Sequence, residues 1–283
     1  MEQQQSERKI YDLHCHSDKS DGILSPAALV SRAKQKDVSV LALTDHDTIA
    51  GWALASEAAA NEGIALIAGV EFSTQWRQRN VHIVGLAFDP DSAAIRSVLA
   101  KQSERRNERA QQIGDKLERV LGPGLRAVAE REAAGGAIGR PHFARAMVEL
   151  GLVASVEQAF GKYLGNGKIG DIKQFWPDMH ECIDAIREAG GIAVLAHPCK
   201  YKLTRTKLCD LLGDFCEAGG GALEVVSGRQ PAGEVEDMAR LALRFELRAS
   251  CGSDFHMPGQ PWNELGTMTA MPSGVEPVWR FWQ

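Results

Sequence analysis

Short apolar runs alternating with helical stretches predict an α/β fold: a distorted, incomplete barrel of about seven mainly parallel strands that carries a helical insertion. Three observations lead there. Runs with strand character at residues 9–16, 39–44, 64–70, 80–88, 191–196, 222–226 and 247–251 are mostly separated by segments of helical periodicity. Most of these runs end near a histidine or a carboxylate, so those side chains would gather on one face of the sheet, where barrel active sites lie. From about residue 100 to 173 the alternation stops, and helical periodicity with dense arginine replaces it.

Each element has a local reason. The first strand ends in His14-Cys15-His16, and Ser25-Pro26 supplies an N-cap and first helical residue for the helix that follows. The second strand is followed by an alanine-rich helix over 49–62, and the third strand, 64–70, is ended by Glu71. The fourth arrives too soon for a helical crossover, so a hairpin-like return should place His82 beside Glu71. After the insert the rhythm resumes, with helices over 179–189, 207–218 and 233–245 between the remaining strands. The expected division is therefore a barrel from residues 1–99 and 174–283 with a substrate-binding insert at 100–173. Within the insert, 143–164 has the helix, turn and helix order of a DNA-binding motif. Its second helix offers only Lys162 as a cation, so a lid is expected there, and no stable DNA partner.

The 283 residues, 44% hydrophobic and 24% charged, are ordinary for a soluble globular chain. A net charge of −5 gives no general attraction to nucleic acid, so an anionic partner needs a local feature. The polar start MEQQQSERK lacks the apolar core of a signal peptide, and no run is long enough to span a bilayer. A cytoplasmic chain with six reduced cysteines, and no membrane partner, is expected.

The chemistry lies in the histidines. Alternation along a strand points His14 and His16 one way and Cys15 the other, and likewise groups Asp254 with His256. Six of the eight histidines (His14, His16, His46, His82, His197, His256) join Asp21, Glu71 and Asp254 in this pattern. Nine such side chains exceed what one or two ions need, so three divalent ions are expected. Nitrogen and oxygen donors without thiolate fit manganese, iron or zinc in a catalytic role. Three divalent ions outweigh three carboxylates, and a net positive centre prefers a phosphate to a neutral substrate. The rivals are amide or C–N hydrolysis at a related metal barrel, and a metal-binding or nucleic-acid-binding module without activity.

The motifs Asp12-Leu13-His14-Cys15-His16-Ser17, Thr44-Asp45-His46-Asp47-Thr48, Gly69-Val70-Glu71, Ala196-His197-Pro198 and Gly252-Ser253-Asp254-Phe255-His256, with His82, resemble those of the PHP (polymerase and histidinol phosphatase) family. The resemblance runs from about residue 10 to 256 and implies a distorted (β/α)7 barrel, a divalent cluster and phosphoester hydrolysis. It further implies that Glu71 bridges two ions. His14, His16 and Asp254 would complete one site, His82 and His197 a second, and Asp21, His46 and His256 a third. The attacking hydroxide would be held at Glu71, His82 and His197.

The insert, with Ile138-Gly139-Arg140-Pro141-His142-Phe143-Ala144, resembles a narrower group: 3′,5′-nucleotide bisphosphate phosphatases and 5′-to-3′ exoribonucleases of short RNA. The implied reaction removes the 3′-phosphate of a nucleoside 3′,5′-bisphosphate, and a histidinol-phosphate-type phosphatase is the alternative. Pro141 at a helix start would leave Arg140 and His142 near free amides, ready to grip a second phosphate. Lys200 and Arg229 follow strand ends on the catalytic face, and Lys168 sits in the Gly165–Lys168 turn, which makes all three candidate substrate contacts. Arg105, Arg106 and Arg109 read mainly as a solvated helix face. Trp76, Trp176 and Trp262 read as packing ahead of base stacking, and His180 as a helix cap.

Overall fold

The computed structural model describes residues 9–172 and 176–283, so the expected end of the insert at 173 lies outside the described residues. Seven strands pair in chain order: β1 (Ile10–Asp12), β2 (Val38–Leu43), β3 (Ala65–Trp76), β4 (Arg79–Leu86), β5 (Ile192–Leu195), β6 (Ala222–Ser227) and β7 (Arg248–Gly252). Neighbours are parallel except around β4, which is antiparallel to both β3 and β5. The first and last strands meet where Leu13 N donates to Cys251 O at 3.0 Å, Asp254 N to His14 O at 2.8 Å and His16 N to Phe255 O at 2.9 Å. The sheet thus curls into the expected distorted barrel.

The interior is filled by Leu13, Val40, Ala42, Val84, Leu86, Ile192, Val194 and Ala222, with Val278 among them from a C-terminal 3₁₀ turn. Trp279 in that turn stacks on Tyr11 with ring centroids 4.0 Å apart, so the C-terminal segment covers the barrel. Helices α1 (Pro26–Gln35) and α2 (Trp52–Glu62) follow the first two strands. The Ser25 hydroxyl accepts from Ala28 N at the start of α1, as the sequence predicts.

Between β4 and β5 lie α3 (Ala93–Leu121), α4 (Leu125–Ala133), α5 (Arg140–Glu149) and α6 (Val156–Ala159), the last running into a π-helical turn at Phe160–Leu164. Helices α7 (Met179–Glu188), α8 (Arg205–Glu217) and α9 (Ala232–Arg244) complete the outer layer. Helix α3 starts earlier than the sequence predicts, because Ile95 and Val98 join the cluster of Phe72, Val81 and Ile183 between the barrel strands and the outer helices. From Ala110 onward its apolar face joins a separate cluster with Leu125, Phe143, Met147 and Leu164. The second helix of the 143–164 segment is four residues before it widens into the π turn, too short to present a DNA-reading face. Among the described residues, no helix is long and apolar enough to cross a membrane.

Two strand ends differ from expectation. β1 stops at Asp12, whose carboxylate accepts from Ser253 N at 2.8 Å and Gly266 N at 3.0 Å, pulling the chain out of regular pairing. β3 continues five residues past Glu71 to Trp76, because the polar stretch Ser73-Thr74-Gln75 is paired residue for residue with β4. The two strands turn at Arg77 and Gln78, both left-handed, with φ of 44° and 65°. Two positive φ values suit the tight hairpin turn that matches strand twist, here made without glycine. That turn starts β4 at the end of the barrel where its neighbours finish, and so brings His82 to their functional face.

The closure of the barrel depends on Gly252 in β7. A Cβ there would stand 2.2 Å from His14 Cβ and 2.7 Å from His14 N. Gly252→Ala should therefore destabilise the fold by at least about 1–3 kcal/mol, since backbone cannot yield as a side chain can. A denaturant midpoint unchanged from the native chain would refute this.

Candidate metal centre

Glu71, fully buried in β3, occupies the middle of the barrel mouth. Its Oε1 lies 2.8 Å from His82 Nδ1 and 2.9 Å from His197 Nε2. Its Oε2 lies 3.0 Å from His46 Nδ1 and 3.3 Å from both His14 Nε2 and His16 Nε2. Asp254 Oδ1 stands 3.4 Å from His16 Nε2 and 3.6 Å from His14 Nε2. Asp21 faces His256 Nε2 at 3.3 Å and His16 Nδ1 and His46 Nε2 at 3.8 Å. All nine side chains singled out by the sequence thus meet in one place. Cys15 points away, buried, with its thiol on Ala42 O at 3.2 Å.

These spacings are informative. Several exceed a good N–H···O hydrogen bond. Two atoms that each sit about 2.1 Å from one ion are roughly 3–3.5 Å apart. Groups of three or four donor atoms within 4.8 Å of one another recur: His16, Asp21, His46 and His256; His14, His16 and Asp254; His14, Glu71 and His197; His46, Glu71 and His82. His14 Nε2, His16 Nε2, His46 Nδ1, Asp21 Oδ1 and Glu71 Oε2 are buried without a hydrogen-bond partner among the described residues. Each such atom costs about 1–3 kcal/mol if left unsatisfied. Divalent ions would satisfy all of them, and the nitrogen and oxygen donor set fits such ions.

The surroundings orient the donors. Glu224 accepts from His14 Nδ1 at 3.1 Å and from the backbone N of His197, which leaves His14 Nε2 free to face the centre. Asp45 is held by Ser17 N, Ser17 Oγ and Ser20 Oγ at 2.6–2.8 Å. Backbone strain collects here too: His197, Asp254 and Asp47 have φ of 28°, 54° and 53°. Sequence reading missed Glu224, because an acidic residue inside an apolar strand is silent about which histidine it reaches.

The electrostatics follow from burial opposed by charge. Burial would raise the Glu71 and Asp21 carboxyls, but the facing imidazoles outweigh it and hold both well below the usual range. Asp254 is held low in the same way, against burial, by Lys200 and the imidazoles of His16, His256 and His14. Burial would also neutralise His14 and His16. Glu224 and Glu71 nevertheless raise His14, and Asp254 and Glu71 push His16 up to about 10. Burial prevails at His46 and His197, which are lowered.

Of the expected substrate contacts, Lys200 reaches the centre through an ion pair with Asp254 Oδ2. Arg140 stands at the junction of two cavities. One, of about 90 Å³, adjoins the centre and is lined by Asp21, His46, His82, Arg106, Arg109 and Trp176. The other is a trough of about 630 Å³ along Arg79, Asn80, Lys200 and Tyr201. Three expectations are not met. His142 is buried and turned into its own helix start: His142 N donates to Gly139 O, and Gly139 N donates back to His142 Nδ1 at 2.9 Å. Arg229 is exposed, donates to Thr267 O at 3.1 Å and lines a different cavity, with Lys36 and Glu264. Lys168 stays exposed in its turn, where its neighbours Asn166 and Asp171 line the trough instead.

Arg106 and Arg109 were underrated, since both are buried beside the centre. Trp176 packs against these two guanidinium groups. Trp76 is buried with Nε1 on Asp214 Oδ2, Trp262 is exposed, and His180 pairs with the N-cap Asp178.

Two outcomes are expected. His14 and His16, held protonated at neutral pH, must each lose a proton before an ion can use the lone pair. Metal loading should therefore release protons and tighten as pH rises, as calorimetry in buffers of different ionisation enthalpy would register. An absence of proton release would contradict the charge pairing. His142, pushed down to about 4 by burial and then by Arg145, stays neutral when folded but takes a proton at its ordinary 6.5 when unfolded. Its contribution is present above pH 6.5 and lost as pH falls towards 4. His142→Gln, which retains an acceptor without a titrating group, should flatten that part of the stability profile in denaturant melts.

The PHP domain family matches residues 12–131. The chain is 47% identical over 276 residues to the 5′-3′ exoribonuclease Rnm of Escherichia coli (strain K12), covering 97% of this chain and 94% of that protein. It is 41% identical over 270 residues to the 3′,5′-nucleoside bisphosphate phosphatase of Chromobacterium violaceum, covering 95% of each. Among solved structures, an amidohydrolase from Chromobacterium violaceum with bound sulfate and no metal superposes with a TM-score of 0.90 at 41% identity, over 96% of this chain and 95% of that one. With the barrel, the convergent donors and matches of this identity across nearly the whole chain, the protein belongs to the PHP-domain family and is a metal-dependent phosphoester hydrolase.

Proposed function

We propose that the protein hydrolyses the 3′-phosphate of nucleoside 3′,5′-bisphosphates, giving a 5′-mononucleotide and phosphate, and that it trims short RNA from the 5′ end by the same geometry. The observation that carries this reading is the convergence of six imidazoles and three carboxylates, with unpartnered buried atoms, beside a cavity walled by arginine. The names of the Escherichia coli and Chromobacterium violaceum relatives support it.

In this reading the centre would hold three divalent ions, manganese by preference and iron or zinc by the same donor chemistry. His14, His16 and Asp254 would hold one, His82 and His197 a second and Asp21, His46 and His256 a third, with Glu71 available to the first two. Such ions, when bound, supply Lewis acidity and make water a competent nucleophile near neutral pH. The chain's own part is placement. Glu71 divides its two oxygens between opposite sets of imidazoles, and Lys200 sets a cation against Asp254 at the mouth. Arg140 faces the trough, whose volume suits a nucleoside. Water adds to phosphorus, the P–O3′ bond breaks, and the departing nucleoside oxygen takes a proton. Residues 100–173 serve as the substrate-binding unit on a barrel built from 1–99 and 174–283, and the setting is the cytoplasm.

A second phosphate bound away from the scissile ester orients that ester and contributes binding energy remote from the reacting bond. Phosphate release from a panel of nucleotides should therefore be fastest on 3′,5′-bisphosphates and slower on 3′- or 5′-monophosphates. Chelation should abolish it and manganese restore it. Arg140→Ala should reduce the preference for the bisphosphate by about 1.5–3 kcal/mol, the worth of a charged hydrogen bond. Release of the 5′-phosphate first would overturn the proposed orientation.

A further inference from the structure

The insert does more than flank the metal centre, for it touches the loop that carries one of the donors. Residues 17–22 follow the first histidine pair and include Asp21. The barrel holds this loop from one side: Asp45 accepts from Ser17 N, Ser17 Oγ and Ser20 Oγ, and Ile23 N donates to His256 O at 3.0 Å. The carbonyls of Lys19 and Asp21 are met by the insert instead. Ala137 N donates to Lys19 O at 2.8 Å. Arg145, whose Nε is held by Glu132 at 3.1 Å, reaches Asp21 O through Nη1 at 3.5 Å.

The seat is close-fitting. Gly136, in the turn between α4 and α5, lies directly against the loop, and a Cβ there would stand 2.8 Å from both Asp18 O and Lys19 O. Both are backbone atoms, so the two segments can meet at this distance only with glycine in the turn. A methyl group would force the turn and the loop apart.

Displacement of this loop would act on one part of the centre above the rest. In the donor set of His16, Asp21, His46 and His256, Asp21 is the one carboxylate, and its Oδ1 is buried without a hydrogen-bond partner. The set is also open: the side chains of Asp21, His46 and His256 are 12%, 13% and 28% exposed, against at most 2% for His14, His16 and Glu71. A divalent ion held mainly by imidazoles in an open site loses its strongest attraction when the single anion moves away.

We infer that the α4–α5 turn, through Gly136 and Ala137, positions Asp21, so that the third ion is retained only while the insert is seated against the 17–22 loop. The inference rests on the three-ion reading above and makes the insert a condition of the metal site as well as a neighbour of it. The dependence runs both ways. By linkage, an ion on Asp21 steadies the turn as much as the turn steadies Asp21.

The test uses the full-length protein titrated with manganese, with ion number and affinity read by calorimetry and elemental analysis. The native chain is compared with Gly136→Ala, Asp21→Asn and the double variant. Gly161→Ala, whose added Cβ would meet nothing within 4 Å, is the control and should bind as the native chain does. Gly136→Ala should weaken one ion at least about tenfold and leave the others unchanged, as expected when the support of a metal-binding side chain is displaced. Because that support acts through Asp21, Gly136→Ala should add no further loss on the Asp21→Asn background. Three ions at native affinity in Gly136→Ala, or a loss undiminished on the Asp21→Asn background, overturns the inference. In the native chain, amide exchange at Ala137 should slow as the weakest ion binds, a measurement that stands even if Gly136→Ala does not fold. Exchange indifferent to that ion overturns the inference equally. A native chain that binds fewer than three ions overturns the three-ion reading and this inference with it, whereas three ions with an indifferent turn overturn only the role of the insert.

Discussion

The burial of Glu71 constrains everything around it. A carboxylate removed from water is stable only when cations or strong donors replace its hydration. Here five imidazoles surround it, two within hydrogen-bond distance of Oε1 and three facing Oε2 at 3.0–3.3 Å, where a cation would complete the replacement. They come from four separate stretches of chain, so the barrel must bring those stretches to one face. The reversed β4 serves this requirement by bringing His82 in from the opposite direction. Positive φ values at His197, one of these five, and at Asp254, a further donor, aim both side chains inward at a conformational cost that the surrounding hydrogen bonds sustain.

A second buried carboxylate, Asp47, ties the centre to the helical insert. It follows His46 directly and accepts hydrogen bonds from Ser73 on β3 and from Gln102 and Arg106 on α3. The helix that carries the buried arginines is therefore anchored one residue from a side chain of the metal centre. Chemistry and substrate recognition share a rigid connection, and a shift of α3 would be felt at His46. Arg145 adds a weaker tie by reaching the backbone carbonyl of Asp21 at 3.5 Å.

Much of this was legible in the residues alone. Period-two alternation is a local property of an extended chain, so His14 and His16 could be paired and Cys15 set aside without knowing the fold. Strand ends marked by histidine or carboxylate implied convergence, because parallel strands end on a common face. The short β3–β4 connection ruled out a helical crossover and placed His82 near Glu71.

What the tertiary structure alone decided concerns groups whose partners lie far away in the chain. An arginine on a helix looks the same in sequence whether it is solvated or buried, and Arg106 is buried only because Asp47, 59 residues earlier, meets it. Arg109, with no carboxylate within ion-pair reach among the described residues, is buried because Trp176 and Arg140 close over it from other segments. His142 turned inward because its own backbone offered a nearer donor than any ligand. Local periodicity thus determined which side chains share a strand face, whereas long-range packing determined which charges lost their water.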